Sequence, residues 1–198
     1  MFALVESGSI TKMLSGNRGI QIGDLKYPRA IYTLWTEAER NAIGIYTVEY
    51  DDSNKKDEKW YINTNQSFAF ADNKVTATYG TATAKKHADT LYTQEDEDNG
   101  LGTKDDVKVE GLKTVLIRQV KAQAAGILTE TDWYVVRKSE ESTAIPSAIT
   151  THRRAVRSKA AAMETAITNA SDTPALETLY TRNENGVRPL GELPQFIE

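Results

Sequence analysis

Cysteine is missing from all 198 residues of this chain. That excludes disulfides, thiolate metal ligands and cysteine nucleophiles together. Histidine is scarce, with His87 and His152 as the 2 imidazoles, too few for a histidine-rich metal site or a multi-histidine acid–base apparatus. No apolar run reaches the roughly 18 residues of a membrane-spanning helix. The start, Met1-Phe2-Ala3-Leu4-Val5-Glu6, has no basic residue and meets an acid at Glu6, unlike a secretory signal. Basic residues are not in excess either: 24 Lys and Arg face 28 Asp and Glu, for a net charge of −4 and a pI near 5.4. Nucleic-acid surfaces need a clustered basic excess, so that partner class is not expected. The patterns G-x-S-x-G, G-x-G-x-x-G, H-E-x-x-H and the P-loop are also absent. A soluble chain with no catalytic residue, cofactor or metal is the expectation.

What remains is enough for a core of modest size. Hydrophobic residues make up 39% and charged residues 26%, in a length that suits one ordinary domain or two small ones. Residues 1–80 read as a small antiparallel β module with one short helix. Phe2–Val5 and Ile10–Met13 flank Ser7-Gly8-Ser9, a hairpin pattern. Thr36 and Glu39 form a capping box for the short helix, and Gly44 suits the left-handed position after it. Ile45–Tyr50 and Trp60–Ile62 read as strands. Phe68 and Phe70, then Asp72-Asn73, then Val75, Ala77 and Tyr79 spell a second hairpin with one apolar face.

Residues 81–111 change character. The run Gln94-Glu95-Asp96-Glu97-Asp98-Asn99-Gly100 reads as an acidic linker or exposed loop, with a turn or two of helix over Thr83–Leu91 before it. A calcium loop with Gly100 at its glycine position would use Glu95, Glu97, Asn99, Thr103 and Asp106. Its first and last ligands are the wrong residue types, so no metal is expected. Residues 112–198 switch to helical periodicity. Leu112, Leu116, Val120, Ala124 and Ile127 mark one helix. Ile149, Val156, Ala160, Met163 and Ile167, with His152 in register, mark another that opens near Pro146. An antiparallel helical hairpin is the simplest arrangement. Asp172 or Thr173 caps a last short helix, and Pro189, Gly191 and Pro194 punctuate an extended tail. The class is α+β.

Among polar residues, Arg153 and Arg157 lie one helical turn apart, with Arg154 beside them. Two readings stand: a clamp within the chain, from Arg153 or Arg157 onto Asp132 or Glu140, or a carboxylate-binding surface for a partner. Asp132 reads as a helix cap or a partner for Arg137, with Trp133 following it.

These residues carry a resemblance. Ile127-Leu128-Thr129-Glu130-Thr131-Asp132-Trp133-Tyr134-Val135-Val136-Arg137, then Ile145-Pro146, then His152-Arg153-Arg154-Ala155-Val156-Arg157 resembles the pattern of tailed-bacteriophage tail assembly chaperones. His152 stands where that family usually has an aromatic, and Arg153 and Arg157 match its two arginines. Tyr27-Pro28, Leu34–Glu39, Ala42–Tyr46 and Asn63–Phe70 are similar to a module at the start of phage tail-associated proteins, marine phages included. The resemblance implies an accessory protein that binds a tail or tail-fibre protein during assembly in the host cytoplasm. A structural virion component of the tail is the alternative. Neither nucleic acid nor membrane is implied, and a homo-oligomer is compatible with both. The residues it singles out for partner binding or an internal clamp are Asp132, Trp133, Arg137, Arg153 and Arg157.

Overall fold

In the computed structural model of the chain, residues 1–64 and 66–195 are described. Asn65, inside the Asn63–Phe70 stretch, and the last three positions of the expected tail lie outside the described residues. The chain is α+β and divides into two compact units, with the boundary between Thr83 and Ala84.

The first unit holds strands β1 (Phe2–Glu6), β2 (Ser9–Leu14), β3 (Ile20–Ile22) and β4 (Leu25–Tyr27). Helices α1 (Ile31–Leu34) and α2 (Glu37–Ala42) follow, then β5 (Ile45–Asp51), β6 (Tyr61–Ile62), β7 (Gln66–Ala71) and β8 (Lys74–Tyr79). Both expected hairpins form. Their turns have positive φ at both central residues: 51° at Ser7 and 77° at Gly8, then 50° at Asp72 and 57° at Asn73. That geometry matches the right-handed twist of the flanking strands. The capping box is closed, with the Thr36 N–H donating to Glu39 Oε2 at 2.7 Å and the Glu39 N–H to Thr36 Oγ1 at 3.3 Å. Gly44 follows with φ 79°, and a Cβ there would lie 2.5 Å from the Val5 carbonyl oxygen. Only glycine fits that approach.

The main sheet has the order β2-β1-β5-β8-β7. It is mixed rather than antiparallel: β8 runs parallel to β5, pairing Val48 with Val75 and Tyr50 with Ala77. The alternation of apolar residues is the same for either direction, so it carries no sign of the crossover. Edge strands β2 and β7 approach each other, so the sheet curls. Alternate residues of β1 serve opposite faces. Ala3 and Val5 pack with Val48, Val75 and Ala77, against Ile10, Met13, Tyr46, Phe68 and Phe70. Leu4 points the other way, into a cluster with Leu14, Ile20, Ile31, Tyr32 and Ile45. The β3–β4 hairpin and α1, neither marked by the expected pattern, supply Ile20, Ile31 and Tyr32 to that second face.

A two-residue strand, β9 (Thr83–Ala84), lies where one unit gives way to the next. The second unit continues with β10 (Thr90–Leu91), α3 (Gln94–Asp98), β11 (Val107–Val109), α4 (Leu112–Thr129), α5 (Asp132–Glu141), α6 (Ser147–Asn169) and α7 (Thr173–Tyr180). The region expected as linker is therefore built structure. No helix forms over Thr83–Leu91; its residues supply strands, and β10 pairs antiparallel with β11. The acidic run between them is helix α3, with a second capping box. The Thr93 N–H donates to Asp96 Oδ2 at 3.0 Å, and the Asp96 N–H donates to Thr93 Oγ1 at 3.2 Å. Carboxylates in a first helical turn are favoured by the helix dipole. Their sequence position therefore organises the segment, although their number suggests only solvation.

Helices α4 and α6 pack antiparallel, as three contacts along their length show. The Lys113 Nζ donates to the Thr168 carbonyl at 2.8 Å, Lys121 meets Glu164 at 3.5 Å, and Arg153 donates to the Leu128 carbonyl at 2.7 Å. Buried on these helices are Leu116, Val120 and Ala124 of α4 and Ile149, Val156, Ala160, Met163 and Ile167 of α6. The start of α4 is capped from a distance, since Gly111 has no side chain to offer. Asp89 accepts from the Gly111 N–H at 2.6 Å and from Thr114 Oγ1 at 2.8 Å, which holds its carboxyl below the usual range. Asp172 caps α7 through the Ala175 N–H at 2.8 Å. Among the described residues the expected extended tail instead folds back, so that the Leu190 N–H donates to the Leu179 carbonyl at 3.0 Å, and Leu190 and Leu193 are buried. No helix among the described residues is long and apolar enough to cross a membrane.

Candidate functional site

The hairpin expected from the sequence contains an additional helix. Between α4 and α6 the chain forms α5, which opens at Thr131 and ends at Ser142 in the left-handed conformation, φ 58°. Thr131 makes no side-chain cap to α5; its hydroxyl is drawn instead into the bonds of Arg153. One Arg153 terminal nitrogen, Nη1, donates to the Leu128 carbonyl and to Thr131 Oγ1, both at 2.7 Å. The other, Nη2, donates to Asp132 Oδ1 at 2.7 Å. A single guanidinium thus binds the last turn of α4, the bend and the first residue of α5. Its rigid planar fork suits this, as does a cation at a helix C-terminus with an anion at the next N-terminus.

The register of α6 departs from the expected stripe. Arg153, at 7% exposure, is a member of the buried face between Ile149 and Val156. His152, expected in register, is only partly buried. Position 153 lies one turn after Ile149 and three residues before Val156, so spacing alone admits it. An arginine at a core position is rejected on burial grounds unless its acceptors are known. Those acceptors, the Leu128 carbonyl and the Thr131 hydroxyl, leave no mark in a residue pattern.

The two arginines expected to act as a pair point different ways. Arg157 is exposed and makes no ion pair among the described residues, and Arg154 and Glu140 are in the same condition. Asp132 is bonded to Arg153, not to Arg137, and half of its side chain remains exposed. Arg137 lies instead across an aromatic platform. The Trp133 and Tyr134 rings stack with centroids 3.7 Å apart. The guanidinium carbon of Arg137 sits 4.8 Å from the Trp133 centroid and 5.3 Å from that of Tyr134. Its Nε is shielded from solvent and finds no acceptor.

Helix α5 buries none of its residues. Trp133 is 50% exposed, Val135 43% and Val136 53%. The helix presents an apolar strip beside a cation that lies over two rings. The acids of the calcium reading sit elsewhere. Asp96, not one of the proposed ligands, is the carboxylate with a structural role there. The hydrogen bond from Lys108, the Thr93 cap and the Lys108 charge hold it down to about 2. Among the described residues no group of three or more His, Asp or Glu is placed to hold a metal ion. The first unit has a cavity of about 210 Å³ lined by Lys12, Arg18 and Tyr32 among others. Burial pushes the Tyr32 phenol up, and neither carboxylate nor imidazole lines that cavity. Compared with known protein families, curated proteins and solved structures, the chain matches none.

Proposed function

We propose that the chain is a non-catalytic accessory protein of phage tail or tail-fibre assembly, and that it binds a tail or fibre protein through the junction of α4, α5 and α6. One observation carries the binding half of this reading. Helix α5 is a helix of 10 residues with no buried member, kept at the surface with Trp133, Val135 and Val136 in solvent. A helix this short is marginal in water by itself. Here Arg153 fixes its first turn, and its apolar side chains remain available for a helix-to-groove or helix-to-sheet contact. The tail-assembly half rests on the resemblance in Thr131-Asp132-Trp133 and in His152 to Arg157. Asp132 and Arg153, far apart in sequence, are joined by an ion pair at that same junction.

Co-expression with each tail and fibre protein of the same phage, followed by co-purification, tests the reading. Capture of one of them, with the chain absent from mass spectra of purified particles, is the expected result. A fixed copy number in particles makes it a virion component instead. Neither capture nor presence in particles defeats both.

A further inference from the structure

We infer that the face of α5 formed by Trp133, Val136 and Arg137 takes an acidic, apolar segment of a partner protein, with a partner carboxylate on the Arg137 guanidinium. This deepens the proposed partner-binding role and rests on it. Trp133, Val136, Arg137 and Glu140 occupy positions i, i+3, i+4 and i+7, one face of the helix. Trp133 and Val136 are both half exposed, and Val135 adjoins them.

The sign of the partner follows from Arg137, the cation of this face that lies over two rings and has no ion pair among the described residues. Asp132 is taken by Arg153. Arg137 and Lys138 of α5 have no ion pair among the described residues. Two carboxylates of α5, Glu140 and Glu141, lie within reach in sequence, and neither pairs with Arg137. The Arg137 side chain is nevertheless held in place: it is partly buried, lies over the Trp133 and Tyr134 rings, and its Nε is shielded from solvent. A guanidinium held over aromatic rings keeps its terminal N–H groups for another acceptor, and a carboxylate binds such groups through two parallel hydrogen bonds. Pre-ordering of the side chain removes part of the entropy cost of that contact. An anionic membrane surface is the less favoured occupant, because α5 is short and Glu140 shares the face.

The test uses the full chain and two labelled peptides of equal length. One alternates Leu and Glu; the other has Lys in place of every Glu. Fluorescence anisotropy reads binding. The Glu peptide binds and weakens with added salt, while the Lys peptide does not bind. Arg137→Gln and Trp133→Ala each weaken the Glu peptide about tenfold or more, with far-ultraviolet circular dichroism unchanged. Arg18→Gln, in the first unit, leaves it unaltered. Equal binding of both peptides, no binding of either, or indifference to Arg137→Gln overturns the inference. So does binding to vesicles of phosphatidylglycerol and phosphatidylcholine in place of the Glu peptide. Failure here with a tail protein still captured on co-expression refutes the acidic partner but leaves the assembly role standing.

Discussion

Helices α5 and α6 follow each other with only Ser142 to Pro146 between them, and they have opposite environments. Helix α6 buries Ile149, Arg153, Val156, Ala160, Met163 and Ile167, whereas α5 buries nothing. Each carries an arginine in a defined position. Arg153 meets a carbonyl, a hydroxyl and a carboxylate; Arg137 rests on two rings with its Nε unanswered. Burial and exposure are thus divided between consecutive helices, and the first turn of α5 is tied to α6 through Arg153.

That division is open to direct attack. Ile167 is fully buried, so Ile167→Ala should cost about 3 kcal/mol in urea unfolding through the lost methyl groups and the cavity left behind. Arg153→Ala should cost about 2 kcal/mol, because the bonds of its guanidinium to the buried Thr131 hydroxyl and to Asp132 are lost together with its packing, while the Leu128 carbonyl keeps the Thr131 N–H and hydroxyl as donors. The half-exposed Asp132 recovers water, which limits the loss. Arg153→Lys should restore only part, since an ammonium lacks the planar fork that reaches all three acceptors. A thermal melt unchanged by Arg153→Ala would mean that α5 is held by something else. Asp172→Ala removes the α7 cap and should cost about 1 kcal/mol, visible as a lower melting midpoint. Trp133→Ala should shift stability by less than about 0.5 kcal/mol. A larger loss would show that α5 contributes to the core and erase the contrast with α6.

The smallest effect expected is local and pH-dependent. Asp96 is lowered from 3.8 to about 2 in the folded chain. Its contribution is complete above the ordinary value and is lost as pH falls from there through 2. Amide exchange in Gln94–Asp98 should therefore quicken across that window, and Asp96→Asn should remove the dependence.

Sequence signals served best where a local rule had a single outcome. The Thr36–Glu39 box, the Asp72-Asn73 turn and the apolar stripe of α4 all form where residue chemistry puts them. They served worst where the outcome depended on distant partners. The parallel pairing of β5 with β8 is set by the docking of a hairpin, not by its alternation. The capped helix α3 was obscured because its acids were weighed by number, although Thr93 and Asp96 stand in cap positions. For the site, Asp132 and Arg153 belonged together, but Arg157 points elsewhere and Arg137 answers to aromatic rings. The exposure of Val135 and Val136 had no signal, since consecutive valines read equally well as core.

The parallel pair has a consequence for the order of assembly. A tight turn cannot join parallel strands, so β8 reaches β5 only after the chain from Asp52 to Asn73 has looped across. Hairpins such as β7–β8 close in roughly 1–10 μs, while pairing over long separations is slow because the loop entropy is lost first. On a ribosome the edge of β5 from Val48 to Asp51 stays without its neighbour until Tyr79 has emerged. A chain halted before that point exposes an open strand edge, and the sheet of the first unit is completed from its last strand inward.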